Sequence, residues 1–214
     1  MRYGAAGCAR NLAAALILLA APSLAQAPVT IVALGDSLTH GYGLPPEDGF
    51  VPQLEAWLAK NGAPEATVVN AGVSGDTTAG GLARYDWSTA GGADALIVAL
   101  GGNDLLRGIQ PETSRANLAA ILDKAAADGL PVLISGMRAP LNYGPDYKES
   151  FDSMYPDLAE EYGALYDPFF LAGVEEDRAL WQSDGIHPNA EGVAVIVERI
   201  GPLVLDLIAR AQAE

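Results

Sequence analysis

Four short runs along the chain are apolar without interruption: "TIVALG" (Thr30–Gly35), "TVVNAG" (Thr67–Gly72), "ALIVALG" (Ala95–Gly101) and "PVLISG" (Pro131–Gly136). Continuous rather than alternating hydrophobicity is what a strand needs when both its faces are covered, as in a parallel sheet. A weaker fifth strand is expected near "ALYD", Ala164–Asp167. Between these runs the apolar residues recur three and four apart, the spacing of a helix face. "EDGFVPQLEAWLAKNG" closes on Gly62, a glycine suited to the residue just past a helix end. "PETSRANLAAILDKAAADG" aligns Leu118, Ile121 and Leu122 and stops at Gly129. "YKESFDSMYPDLAEEYG" predicts a helix kinked at Pro156, and "NAEGVAVIVERIGPLVLDLIARA" a closing helix capped by Asn189. Strands alternating with helices predict an α/β layered fold with right-handed crossovers.

The amino end has a different pattern. Arg2 and Arg10 precede the apolar run "LAAALILLAAPSLA", which ends in small residues around "SLAQA". Residues 1–27 are therefore expected to be a secretory signal peptide, cleaved after Ala25 or Ala27. The run is too short for a comfortable membrane span, so no stable membrane insertion is expected once it is removed. A single domain over 28–214 should remain, exported to the periplasm or secreted. Cys8, the one cysteine, leaves with the leader, so disulfides, thiol chemistry and cysteine-based metal sites are excluded from the mature chain. The leader removes two arginines and no acid, leaving 10 basic against 27 acidic residues, a net charge of −17. Such a surface repels nucleic acid and anionic lipid.

In open α/β sheets, ligands bind at the carboxyl ends of the strands. The polar clusters fall there: "GDS" after the first strand, "SGD" after the second and "GGND" after the third, with "SDGIHP" before the last helix. Of two histidines, His187 has Asp184 three residues before it, a spacing that lets one turn supply a base and the carboxylate that orients it. His40 reads as a rim residue. Ser37 fits a nucleophile just beyond strand one, although a serine after Gly-Asp also fits a plain turn, and the G-x-S-x-G elbow is absent. Gly75 could offer a backbone N–H and Asn103 a side-chain amide to a developing oxyanion. Asp36, Asp76 and Asp104 are expected to hold loops rather than to react.

Together, "GDSLTHGYG", "VSGDTTAGGLAR", "LGGNDLLRG" and "SDGIHPN", in that order, resemble the four blocks of the SGNH, or GDSL-type, hydrolase superfamily. Within it the chain is similar to the acyl-CoA thioesterase I, lysophospholipase L1 and arylesterase group, whose R-x-P-x-N-Y-G segment is matched by "RAPLNYG". The resemblance implies a three-layer α/β sandwich with a five-stranded parallel, flavodoxin-like sheet between helices. It implies Ser37 as nucleophile, His187 as base and Asp184 as its partner. The oxyanion hole would comprise the N–H groups of Ser37 and Gly75 and the Asn103 amide, and Leu141, Asn142 and Tyr143 would border the substrate. The implied activity is cleavage of carboxylic esters and thioesters (aryl esters, acyl thioesters, lysophospholipids) through an acyl-serine, by a monomer without metal or cofactor. The alternatives are a carbohydrate O-acetyl esterase of the same superfamily and a non-catalytic periplasmic binding protein.

Overall fold

Five parallel strands hydrogen-bond into one sheet in the computed structural model, which describes residues 28–213 together with Met1 and Gly4. The expected leader and its cleavage after Ala25 or Ala27 otherwise lie outside the described residues. The strands are β1 (Thr30–Gly35), β2 (Thr67–Gly72), β3 (Ala95–Ala99), β4 (Val132–Ser135) and β5 (Leu165–Asp167), ordered β2-β1-β3-β4-β5. The helices are α1 (Ser37–His40), α2 (Phe50–Lys60), α3 (Thr78–Ala83), α4 (Tyr85–Thr89), α5 (Gly102–Leu106), α6 (Pro111–Ala127), α7 (Pro145–Tyr162) and α8 (Ala190–Ala211). Helix α2 packs on α8, while α6 packs on both α3 and α7, so two helical layers enclose the sheet. Among the described residues no helix is long and apolar enough to cross a membrane.

The all-apolar runs behave as their composition requires in the middle of the sheet. Every residue of β3 and β4 is buried, as are all of β1 except its first. The second run departs from the expectation of two covered faces: β2 is an edge strand with only Val68 and Ala71 fully buried, and Val69 and Asn70 face solvent. The polar Asn70 within this run is the local feature that accords with an edge position. Helix ends follow the signals in the chain. Gly62, Gly129 and Gly163 take positive φ just past α2, α6 and α7, and Asn189 accepts from the Gly192 N–H at 2.9 Å to start α8. Helix α7 begins earlier than Tyr147, with Pro145 in its first turn, and continues past Pro156 to Tyr162.

Two features fix the sheet's carboxyl edge. Buried Asp167, ending β5, takes the Ser135 hydroxyl from β4 and the Arg199 guanidinium from α8, clamping two strands to the last helix. Gly72, ending β2, has a Cβ position only 2.3 Å from the His40 backbone nitrogen, so α1 seats against the strand end because no side chain intervenes. The chain leaves β1 towards β2 on one side, and β3 pairs on the other, making the gap between β1 and β3 the topological switch point where such sheets bind ligands.

Candidate active site

Ser37 is the first residue of α1, immediately past β1. The turn forms because buried Asp36 caps it, its Oδ1 accepting from the Leu38 N–H at 3.0 Å. That cap leaves the Ser37 hydroxyl half-buried at the strand end. The other half of the chemistry arrives 150 residues later on a closed loop. Trp181 bridges Pro188, the Gln182 N–H donates to the His187 carbonyl at 2.8 Å, and the Gln182 side chain ties to the Pro188 and Tyr42 carbonyls at 3.0 and 2.8 Å.

This loop brings His187 Nε2 to 2.8 Å from Ser37 Oγ, while His187 Nδ1 lies 2.7 Å from Asp184 Oδ2. The second Asp184 oxygen accepts from the Ile186 and His187 N–H groups at 2.9 and 3.0 Å. The bond to the His187 ring, helped by these two N–H groups, lowers the Asp184 carboxyl to about 2. It is ionised at any ordinary working pH, so Nδ1 carries the ring proton and donates to it, and Nε2 is left to accept from the serine. Tyr42 lies tilted over the imidazole, with centroids 4.7 Å apart.

The candidate donors converge on the same place. Asn103, in the first turn of α5 beyond β3, donates one amide hydrogen to Asp36 Oδ2 at 3.2 Å, leaving the other available. Gly75 adopts φ +86°, a conformation suited to glycine, and its carbonyl is held by Arg107 Nη2 at 2.7 Å. Among the described residues its N–H makes no hydrogen bond. Arg84 was not anticipated from the sequence. It pairs with Asp76 and donates to the Gly35 and Ala71 carbonyls at 2.7 and 2.6 Å, tying the Gly75 loop to the ends of β1 and β2. His40 completes the tethering on the rim, with Nδ1 3.2 Å from Ser74 Oγ.

The aspartates expected to hold loops do so. Asp104 accepts from the Thr78 N–H at 2.8 Å and from the Thr78 and Ser114 hydroxyls at 2.6 and 2.9 Å. Burial raises the Asp36 carboxyl to about 6, against the opposing pull of the Leu38 N–H, His187 and Asn103.

Ser37, Gly75, Asn103 and His187 all line one cleft of about 450 Å³. Its other walls are largely apolar: Leu105 and Leu106 from α5, Met137 beyond β4, Phe169 and Leu171 beyond β5, and Ile186. Leu141, Asn142 and Tyr143, expected to border the substrate, are not among the residues lining this cleft. They form a 3₁₀ turn ahead of α7, where the Tyr143 ring lies tilted against Tyr147 with centroids 4.9 Å apart and borders Gly108. Met137, Phe169 and Leu171 were missed, although the carboxyl-end rule applied to the first three strands would have pointed to them after β4 and β5.

A hydroxyl–imidazole–carboxylate chain beside apolar walls, on the switch point of a parallel α/β sheet, is the arrangement of a serine-type hydrolase of acyl compounds. Comparison with known proteins sharpens that class: the sequence profile of the GDSL-like Lipase/Acylhydrolase family matches residues 33–195, and the chain belongs to this family. It is 41% identical over 195 residues to Esterase TesA of Pseudomonas aeruginosa, covering 91% of this chain and 95% of that one. It is 36% identical over 194 residues to Thioesterase 1/protease 1/lysophospholipase L1 of Escherichia coli, covering 84% of this chain and 87% of that one. The crystal structure of AlinE4, an SGNH-hydrolase family esterase, superposes with a TM-score of 0.72 at 43% identity, covering 84% of this chain and 96% of the other. The protein is an esterase, which sets aside the non-catalytic binding alternative.

Proposed function

We propose that this esterase works through an acyl-serine at Ser37 on carboxylic esters and thioesters: aryl esters, acyl thioesters and lysophospholipids. The observation that carries the reading is the unbroken chain Ser37 Oγ–His187 Nε2 at 2.8 Å and His187 Nδ1–Asp184 at 2.7 Å. His187 takes the hydroxyl proton as Oγ attacks the substrate carbonyl. The electron pair of the C=O bond moves to oxygen, where the N–H groups of Ser37 and Gly75 and the free amide hydrogen of Asn103 receive it. Collapse of the tetrahedral intermediate expels the leaving group, which His187 protonates. His187 then deprotonates a water that attacks the acyl-enzyme, releasing the acid and regenerating Ser37. Asp184 keeps the imidazole in the required tautomer and stabilises the imidazolium. The apolar walls favour acyl chains over the acetyl groups of a carbohydrate polymer.

The leader at residues 1–27, cleaved after Ala25 or Ala27, places the working domain, 28–214, in the periplasm or outside the cell. Cytosolic acyl-CoA is then out of reach, and thioester cleavage is an ability rather than the biological task. The deciding experiment assays Ser37→Ala on p-nitrophenyl acyl esters and labels the parent protein with a fluorophosphonate. Turnover should fall on the order of 10⁴–10⁶-fold, with labelling abolished in the variant. Near-normal turnover by Ser37→Ala would end the acyl-serine reading.

A further inference from the structure

Several cations of this acidic protein hold a carboxylate or a carbonyl, as Arg84 does with Asp76 and Arg107 with Gly75. Arg138 does neither: among the described residues its guanidinium makes no hydrogen bond or ion pair. It lies over the Phe169 ring, its guanidinium carbon 4.9 Å from the centroid. Both residues line the cleft, and Arg138 is the only lysine or arginine among the described residues that does.

Contact with a ring face occupies none of the five guanidinium N–H donors, so the fork is steadied without being used. Guanidinium geometry matches carboxylate and phosphate oxygens pairwise. Arg138 is exposed, so water and salt partly screen such a pair and its contribution is modest. The net charge of −17 after leader removal holds anions away from the surface at large, so a lone arginine in the cleft wall supplies a local attraction for an anion where substrate binds. We propose that Arg138 is an oxyanion subsite of the cleft, taking the carboxylate or phosphate of esters that carry one, so that these are preferred to neutral esters of equal length. This inference rests on the esterase reading above and names a substrate class within it.

The test uses two matched substrate pairs with the parent protein, Arg138→Gln and Arg138→Lys. Mono-(4-nitrophenyl) suberate against 4-nitrophenyl heptanoate places a carboxylate on the acyl side. Octanoyl-glycerol-3-phosphate against octanoylglycerol, read as released octanoate, places a phosphate on the alcohol side. In at least one pair the anionic-to-neutral ratio of kcat/KM should fall about fivefold or more in Arg138→Gln, the scale of a solvent-facing charge-assisted contact. Arg138→Lys should keep part of the preference, and rising ionic strength should shrink it in the parent protein. The pair that responds identifies the side on which the oxyanion sits. An unchanged ratio in both pairs, with fluorophosphonate labelling and thermal midpoint preserved in the variants, overturns the subsite. Absence of turnover of all four esters by the parent protein would instead overturn the esterase reading, and the subsite with it.

Discussion

Two carboxylates flank the site with opposite electrostatics. Asp184 is exposed and held low, at about 2, by His187 and two backbone N–H groups; Asp36 is buried and held high, at about 6. The signs of their pH effects differ accordingly. Asp36, with its folded value above the unfolded 3.8, favours the folded state in its neutral form, so its contribution is lost as pH rises from about 4 to about 6. Thermal midpoints of the parent protein and Asp36→Asn, compared across that range, should diverge in the variant's favour with rising pH, by on the order of 2–3 kcal/mol. Asp184 acts in the opposite sense, stabilising above about 4 and losing that contribution as pH falls towards 2. For catalysis, Asn103→Ala should lower kcat about 100- to 1000-fold with little change in KM, because its free amide hydrogen meets charge that develops only in the transition state. Steady-state kinetics on a p-nitrophenyl ester would check the split, and an equal effect on both constants would count against the role.

At the level of elements, the fit between α1 and β2 invites a direct test. Gly72→Ala places a methyl against the His40 backbone, which cannot move aside as a flexible side chain can. The variant should lose about 1–3 kcal/mol of stability, and kcat should fall with it because α1 carries Ser37. Calorimetry and kinetics on the same preparation should show both losses. Elements with strong local signals were legible in the sequence: β1 and β2 have the bounds their apolar runs give, and glycines mark the helix ends. Ser37, His187 and Asp184, which the structure joins in one hydrogen-bonded chain, were legible because each sits in a short polar motif outside the apolar runs. What escaped depends on long-range packing. In "TVVNAG" only Asn70, a polar residue inside the run, hints at an edge strand. Arg84 acts through carbonyls of two different strands, 49 and 13 residues away. The Tyr143 ring in the 141–143 turn finds its partner in Tyr147 of α7, a contact no local pattern announces.

For the whole molecule, charge bears on the proposed export. Removal of residues 1–27, as proposed, would leave a domain at −17 and free of cysteine, suited to remaining dispersed in an oxidising compartment without disulfides. Intact-mass measurement on protein from the periplasmic fraction or the medium should show a chain beginning at Gln26 or Pro28. A chain beginning at Met1 would contradict removal of the leader.

The groups proposed to react do not share one mechanical support. Ser37 and Asn103 follow adjacent strands joined by a continuous ladder, whereas His187 and Asp184 lie on a loop whose residues 183–186 are all exposed. Segments of that kind open at far lower cost than a buried sheet. Gentle heating should therefore detach the base from the nucleophile before the scaffold melts, so that the temperature of half-maximal activity falls below the circular-dichroism midpoint. Stiffening the short span from Trp181 to Pro188, rather than enlarging the core, would then be the route to an enzyme that tolerates warmth.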